Sequence, residues 1–487
     1  MATPRTVAFY TLGCKLNYSE TSSIGRLFES AGYTEVGFRD GADIYVVNTC
    51  SVTDFADRKC RQIVRRALKY SPGAKVIVVG CYAQLKPEEI AGIEGVDLVL
   101  GAAEKFRILD YVDGLSKAPG KGMVRAGEVT EAKDFVNAFS FGDRTRSFLK
   151  VQDGCDYKCT FCTIPLARGR SRSDTVENVV ANARSIADRG VKEIVLTGVN
   201  IGDFGNGTEV IEGARPKKEA LFIDLIRELD QVEGINRFRI SSIEPNLCTN
   251  EIIAFVAQSQ RFAPHFHMPL QSGSDRMLKA MRRSYRRAKY LGILDRVRAA
   301  MPDAAISTDI IVGFPGETEA DFVETLEVVR AAGFAQAFTF QYSPRPGTPA
   351  ADLADQVPAD VVADRYRRLV ALVEEIAWAE NTRLVGTEVE LMVAEGQGRK
   401  DAATRRLSGR GPDNRLVHFT PGDAAVRPGD LVTVAITYAA PHHLVADGPV
   451  RAVRRTRAGD AWEARTQPAE ATGIGLGMPA IGPPGSA

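Results

Sequence analysis

Short, fully apolar runs alternate with amphipathic stretches along most of this chain. In the first third the runs fall at 7–12, 44–47, 76–79 and 96–100, and residues 19–31 and 57–69 repeat apolar positions at helical spacing. Buried strands alternating with helices predict a parallel sheet with right-handed crossovers, here over residues 5–140. The alternation resumes with strands at 148–152, 193–197, 238–242, 267–270, 305–311 and 338–342, separated by helical patterns at 176–189, 221–229, 290–299 and 320–331. Six such repeats predict a partial (β/α)6 barrel over 145–380. After a helix ending near Thr382 the period drops to two. Residues 388–393, 416–419 and 431–438 read as strands joined by glycine-rich turns, a small β-barrel over 383–447. Residues 458–487 are rich in Ala, Pro and Gly and are expected to be disordered. The fold class is α/β with a β-rich C-terminal module. The glycine- and charge-rich segment 203–219 is expected to be a surface loop.

Composition narrows this little. The 487 residues are 44% hydrophobic and 25% charged, with a net charge of +1, so nucleic-acid binding must come from local basic patches and not from global attraction. One such patch is the helix after Cys50, with Arg58, Arg61, Gln62, Arg65 and Lys69 near one face; it is either a solvated surface or an RNA contact. Another is Arg399, Lys400, Arg405, Arg406, Arg410 and Arg415, nearly balanced by acids across their module. No apolar stretch approaches the ~20 residues that span a bilayer, and no signal-like apolar segment opens the chain. A cytoplasmic protein without a membrane partner is expected.

Eight cysteines are too few for a disulfide scaffold and suit metal binding in a reducing compartment. Cys155, Cys159 and Cys162 form a CxxxCxxC loop after the first barrel strand, at the face where barrel active sites lie. Three thiolates this close can ligate three irons of a [4Fe-4S] cube and leave the fourth open, whereas four-thiolate ferredoxin sites close the cluster. A zinc knuckle would want a fourth Cys or His nearby, and none is present. Cys14, Cys50 and Cys81 each follow an apolar run of the first domain. All three therefore sit just past the carboxyl ends of parallel strands, the edge where open α/β sheets bind ligands. They predict a second three-cysteine site. Cys60 and Cys248 lack this placement and read as structural.

The CxxxCxxC spacing resembles that of the radical SAM superfamily. The segments Gly13–Asn17, Asn48–Thr53 and Gly80–Gln84, with the loop from Asp153 to Arg170, resemble the methylthiotransferases over about residues 6 to 446. Within them the core motifs, including Ser241–Pro245, look most like the branch acting on threonylcarbamoyladenosine beside the tRNA anticodon. Residues 409–414, 441–444 and the tail look more like the branch acting on isopentenyladenosine. The core is taken to set the modification, which makes the threonylcarbamoyl reading first and the isopentenyl reading second. Methylthiolation of a ribosomal protein aspartate, or a non-catalytic iron–sulfur RNA-binding protein, are further alternatives. The resemblance implies S-adenosyl-L-methionine and two [4Fe-4S] clusters as cofactors, one on each cysteine triad. It implies that Gly198, Asn200, Gln271, Ser272, Gly313 and Gly316, all in loops after barrel strands, contact S-adenosylmethionine. It also implies a TRAM-like RNA-binding C-terminal module. The tRNA anticodon arm, a reductant such as flavodoxin or ferredoxin, and a sulfur donor are the implied partners of a monomer. Arg168, Arg170 and Arg172, just past the cluster loop, are expected on a solvated loop or against the phosphates of an anticodon stem. His265 and His267 read as strand histidines.

Overall fold

The computed structural model describes residues 5–50, 54–117, 120–141, 145–396 and 401–466. The first domain is an all-parallel sheet of six strands, two more than the apolar runs indicate. The additions are the short edge strands Thr34–Glu35 and Met123–Arg125, too small and too exposed to show as apolar runs. The centre is built from Thr6–Thr11, Ile44–Thr49, Lys75–Gly80 and Leu98–Leu100. Ile44–Thr49 is buried along its whole length, as a strand covered on both faces must be. Register pairs Thr11 with Asn48 and Thr49 with Gly80, so the chain leaves all three strands at one edge.

The second domain has two three-stranded parallel halves. One orders Arg237–Ile240, Glu193–Thr197 and Arg146–Lys150; the other orders His265–His267, Ala305–Val312 and Gln336–Gln341. Phe238 bridges to Phe262, just before the second half begins, and the halves curve around one large core. Arg146–Lys150 and Gln336–Gln341 are the outer strands of the two halves, and residues 138–140 pair antiparallel along the former, with the Ser140 N–H on the Phe148 carbonyl (3.0 Å) and the Lys150 N–H on that of Ala138 (2.8 Å). The helix Lys15–Ser30 of the first domain packs on the strand Arg146–Lys150, where Tyr18 meets Phe148 edge-on at 5.7 Å between ring centroids.

The third domain is a seven-stranded sheet, antiparallel except where Leu416–Phe419 pairs with His443–Ala446. Its inward side chains, among them Leu391, Val393, Phe419 and Val434, form a separate core. Its 410–415 loop reaches the amino-terminal ends of the barrel strands. There Arg239 donates to the Pro412 carbonyl at 2.8 Å and to that of Gly411 at 3.2 Å, and Arg237 to that of Arg410 at 3.3 Å.

Two expectations change. Segment 203–219 is not wholly a surface loop: Asp203 is buried and accepts from the Thr208 backbone N–H at 2.8 Å, which nucleates the helix Gly207–Ile211. Of the tail, Arg457–Thr466 is a helix held by Arg427, which pairs with Glu463 at 2.5 Å and with Asp460 at 2.9 Å. Residues 467–487 lie outside the described residues.

Candidate functional site

The strand register carries Cys14, Cys50 and Cys81 to a common edge. Asn17 fastens this edge: its amide donates to the carbonyls of Leu12 (3.0 Å) and Thr49 (2.9 Å), the last residues of two neighbouring strands or one beyond. Two glycines permit the close approach. A Cβ on Gly13 would lie 2.7 Å from the Cys50 Cβ, and one on Gly80 2.4 Å from the Thr49 carbonyl oxygen; both have φ near +100°, which L side chains resist. Burial pushes the Cys81 thiol pKa up, opposed by the Arg168 charge.

The second triad is held by its own loop and by contacts across the barrel mouth. A Cβ on Gly154 would overlap the Arg170 carbonyl oxygen, and Gly154 has φ +71°. The Cys155 N–H donates to the Gly169 carbonyl at 3.1 Å, and the Thr160 N–H to that of Met281 at 3.2 Å. Gln152 couples this loop to the next: its amide donates to the Gly154 carbonyl (2.8 Å), and its oxygen accepts the backbone N–H groups of Val199 (3.0 Å) and Asn200 (2.9 Å). Burial raises the pKa of all three thiols, that of Cys162 to about 12. For Cys159 this is opposed by Arg283, whose Nη1 donates to the Cys159 sulfur at 3.1 Å while Nη2 pairs with Glu244.

Arg168 and Arg172 are not on a solvated loop. Arg168 is 3% exposed and donates to Glu20 (3.0 Å), Asp153 (3.0 Å) and Asn17 (2.5 Å). Arg172 pairs with Asp153 at 3.0 Å. Lys105 and Lys150 complete the cluster on Glu20, at 2.8 and 3.3 Å. Burial alone would raise the Glu20 pKa; Arg168, Lys105 and Lys150 outweigh it and hold the carboxylate far below its usual range. This joint locks the first domain to the CxxxCxxC loop. Arg170 alone of the three arginines is exposed. On the helix Asp54–Tyr70, Arg58, Gln62, Arg65 and Lys69 are exposed, and Arg61 pairs with Glu89 at 2.8 Å. Arg410 and Arg415 face inward, toward the barrel and Asn381; Arg399 and Lys400 lie outside the described residues.

Two of the cavities lined by barrel residues reach the cysteines. One, of about 490 Å³, opens beside Phe161 and Cys162 and is lined by Gln271, Asp309, Ile311, Phe340 and Tyr342. The other, of about 290 Å³, is walled by all three domains: Cys14 and Lys15, Gly198, Ser241, His265, His267 and Asp309, and Asn414. Asp309 belongs to both, with its carboxylate 3.2 Å from the His267 ring. Burial foremost, then the charges of Arg146 and Arg239, push the Lys15 pKa down to about 8.

The residues expected to contact S-adenosylmethionine divide. Gln271, at φ +65°, lines the larger cavity, and among the described residues its oxygen has no partner; nor has the Asn200 amide nitrogen, while the Asn200 oxygen accepts the Glu244 N–H at 3.2 Å. Gly198 lines the smaller cavity. Ser272 instead turns to Thr325 (3.3 Å), Gly313 packs against Val362 and gives its N–H to Glu317 (2.9 Å), and Gly316 bonds the Asp355 carbonyl (2.7 Å). Sequence reasoning missed Lys15, Gln152, Arg283 and Asp309. Only Lys15, inside the Gly13–Asn17 motif, had a local signal.

Residues 149–329 match the radical SAM superfamily, and residues 6–101 match a family described as uncharacterized protein family UPF0004. Over 99% of its length, and 96% of the relative's, the chain is 49% identical to the tRNA-2-methylthio-N(6)-dimethylallyladenosine synthase of Nocardioides sp. strain JS614. The chain belongs to the radical SAM methylthiotransferase family. The enzyme is also 46% identical to the synthase of the same name from Streptomyces viridosporus, over 99% of its own length and 95% of that protein's. Among solved structures, the radical S-adenosylmethionine methyltransferase TsrM from Kitasatospora setae, with tryptophan and a SAM analog bound, covers 71% of the enzyme and 75% of its own chain. That likeness, at 15% identity and a TM-score of 0.51, is one of fold alone. These relatives carry the dimethylallyladenosine name, in line with the C-terminal module and against the threonylcarbamoyl preference drawn from the core motifs.

The enzyme's cofactors are S-adenosyl-L-methionine and [4Fe-4S] clusters. The residues fit both. Three thiols at one strand edge, and three on one loop, are the donor set that leaves one iron of a [4Fe-4S] cube open. Buried polar atoms are rarely left without partners, so the unpaired Gln271 oxygen and Asn200 nitrogen mark a polar ligand's place.

Proposed function

We propose that the enzyme adds a methylthio group to carbon 2 of N6-dimethylallyladenosine (isopentenyladenosine) in tRNA. The relatives' shared name, over nearly the whole chain, supports the nucleoside. The observation that carries the reaction is geometric: one residue, Asp309, lines the cavity beside Cys162 and the cavity beside Cys14. Chemistry begun at one triad can thus meet sulfur held at the other.

In this reading Cys155, Cys159 and Cys162 hold the reducing cluster, and Cys14, Cys50 and Cys81 the second. When bound, these groups and S-adenosylmethionine supply the one-electron chemistry that an unactivated C–H demands, which no side-chain base can provide at neutral pH. The protein's share is placement. Gln271 offers its unpaired oxygen to S-adenosylmethionine in the larger cavity, and Gln152 fixes Asn200, which keeps an unpaired amide nitrogen, against the cluster loop. Arg283 holds Cys159 in place through its N–H···S bond, in the way that outer partners orient metal ligands. The adenine occupies the smaller cavity, reached by extruding the nucleotide from its stack. The TRAM-like module and the exposed basic face of helix Asp54–Tyr70 contact the anticodon arm, with an external electron donor and sulfur donor completing the reaction.

Nucleoside mass spectrometry of tRNA, from cells with and without this chain, tests the reading. The 2-methylthio form of dimethylallyladenosine should appear only with the chain; appearance only of 2-methylthio-threonylcarbamoyladenosine would reverse the choice of nucleoside.

A further inference from the structure

The last barrel strand carries an aromatic face that the steps above leave unused. Gln336–Gln341 pairs on one side with Ala305–Val312, and no described strand pairs with its other side. Side chains alternate across a strand, so Phe338 and Phe340 share a face. Phenylalanine is among the residues most often fully buried, yet these two are 43% and 39% exposed. What they are exposed to is the site. Phe338 lines the chamber of Cys14 and Asp309, with its ring edge-on to that of His267 at 5.9 Å between centroids. Phe340 lines the cavity of Cys162 and Asp309. Both also line a further cavity, of about 270 Å³, bounded by this strand, the helix Ala359–Thr382 and the C-terminal module.

The chemistry of that lining is as informative as its position. Besides the two rings it presents Val373, Ala377 and Pro441, and no Lys, Arg, Asp or Glu. The His442 imidazole, also in the lining, has its Nε2 3.5 Å from the Glu374 carboxylate. A charged group that entered would lose its water without gaining a counter-charge, whereas a hydrocarbon group gains by leaving water.

We infer that this lateral cavity takes the apolar N6 substituent of the target nucleotide, with Phe338 and Phe340 as specificity-determining residues. The inference rests on the tRNA reading and deepens it from the base to the hydrocarbon group that the base carries. An adenine in the chamber of Cys14 has Phe338 for a wall, and Phe338 is equally a wall of the apolar cavity. A dimethylallyl group on that adenine therefore reaches the cavity past a single ring, along the side of the strand that no described strand covers. Phe340 continues the same surface toward the cavity of Cys162, so the group that selects the substrate also sets the adenine between the two triads.

The test measures binding of the iron-reconstituted full chain, by fluorescence anisotropy, to two anticodon stem-loops that differ only at the target base: dimethylallyladenosine in one, adenosine in the other. Phe338→Ala and Phe340→Ala are compared with the wild type and with Phe338→Leu, and iron content and thermal unfolding establish that each protein is loaded and folded. A single methylene in an apolar pocket is worth about tenfold, so the wild type should prefer the dimethylallyl stem-loop by about tenfold or more. Each alanine variant should cut that preference by about threefold or more, through weaker binding of the dimethylallyl stem-loop alone, and Phe338→Leu should keep most of it. No preference in the wild type, an unchanged preference in both alanine variants, or a leucine variant no better than alanine overturns the inference. So do equal losses on both stem-loops, which would make the two rings a platform for RNA bases in general. Absence of methylthiolated product from the wild-type enzyme would instead remove the function proposed above, and would leave the binding preference readable.

Discussion

The two cysteine triads reach similar ends by opposite routes. Cys155, Cys159 and Cys162 lie within eight residues, on a loop whose turn is set by Gly154 and whose backbone is pinned locally at Cys155 and Cys162. Cys14, Cys50 and Cys81 are drawn from three strands, and only the parallel register and the Asn17 amide bring them to one edge. A local loop can keep its geometry through small shifts of the domain around it. A convergent site inherits every shift of every strand. The interior ion cluster on Glu20 and Asp153 fits this difference, since it clamps the convergent triad's helix to the contiguous triad's loop.

The sharpest way to break the comparison is to remove one thiol from each triad. Cys155→Ala should abolish reductive cleavage of S-adenosylmethionine, and Cys50→Ala should spare cleavage but end methylthiolation. Iron should fall from about eight to about four per chain in either variant. Chromatographic assay of cleavage beside nucleoside mass spectrometry checks both, and methylthiolated tRNA from Cys50→Ala would show the division of labour to be wrong.

Next in size is the clamp. Glu20→Ala leaves Lys105, Lys150 and Arg168 buried around a lost partner, and should cost about 3–5 kcal/mol in chemical denaturation.

Acid should loosen the other joint, between barrel and C-terminal module. Burial alone would raise the Glu193 pKa, but Arg239, Arg237 and Arg146 pull it from the usual 4.5 to about 2. Because the folded pKa is depressed, this stabilisation is complete above about pH 5 and is lost as pH falls toward 2, on the order of 3 kcal/mol. Glu193→Gln should flatten that part of a stability-against-pH curve; an unchanged slope there would refute the assignment.

The smallest effects separate the two routes by backbone. Gly80→Ala forces a Cβ to 2.4 Å from the Thr49 carbonyl oxygen at φ +101°, a cost of roughly 1–3 kcal/mol. It should lower the iron bound at the convergent triad while cofactor cleavage persists. Gly154→Ala, at φ +71°, should do the reverse and impair cleavage first.

Six cysteines could be put forward from the sequence as candidate ligands, because spacing and placement after apolar runs are local properties. It showed the barrel for the same reason, since burial on both faces writes a strand as an unbroken apolar run. It misplaced Arg168 and Arg172, because an arginine that will be buried against Glu20 and Asp153 looks in sequence like any surface arginine; its partners are 148 and 15 residues away. Gln152, Asp309 and Arg283 stayed hidden likewise: their roles come from the loop, cavity or sulfur they face. Ser272, Gly313 and Gly316 have the glycine-and-serine look of ligand loops, and in the structure they also bond or pack within the protein, Ser272 to Thr325 and Gly313 beside Val362. The tail helix Arg457–Thr466 was missed because Arg427, far from it in sequence, pairs with its acids.

What the residues settled unaided was which atoms are available: three thiols on one loop, three more at strand ends, and glycines where the chain must pass close to itself. Chain geometry fixes such features over a few residues. That the cavities beside the two sets share a wall at Asp309 was decided by packing alone. Distances across a chamber depend on how three separately folded layers meet, and no short stretch of sequence carries that.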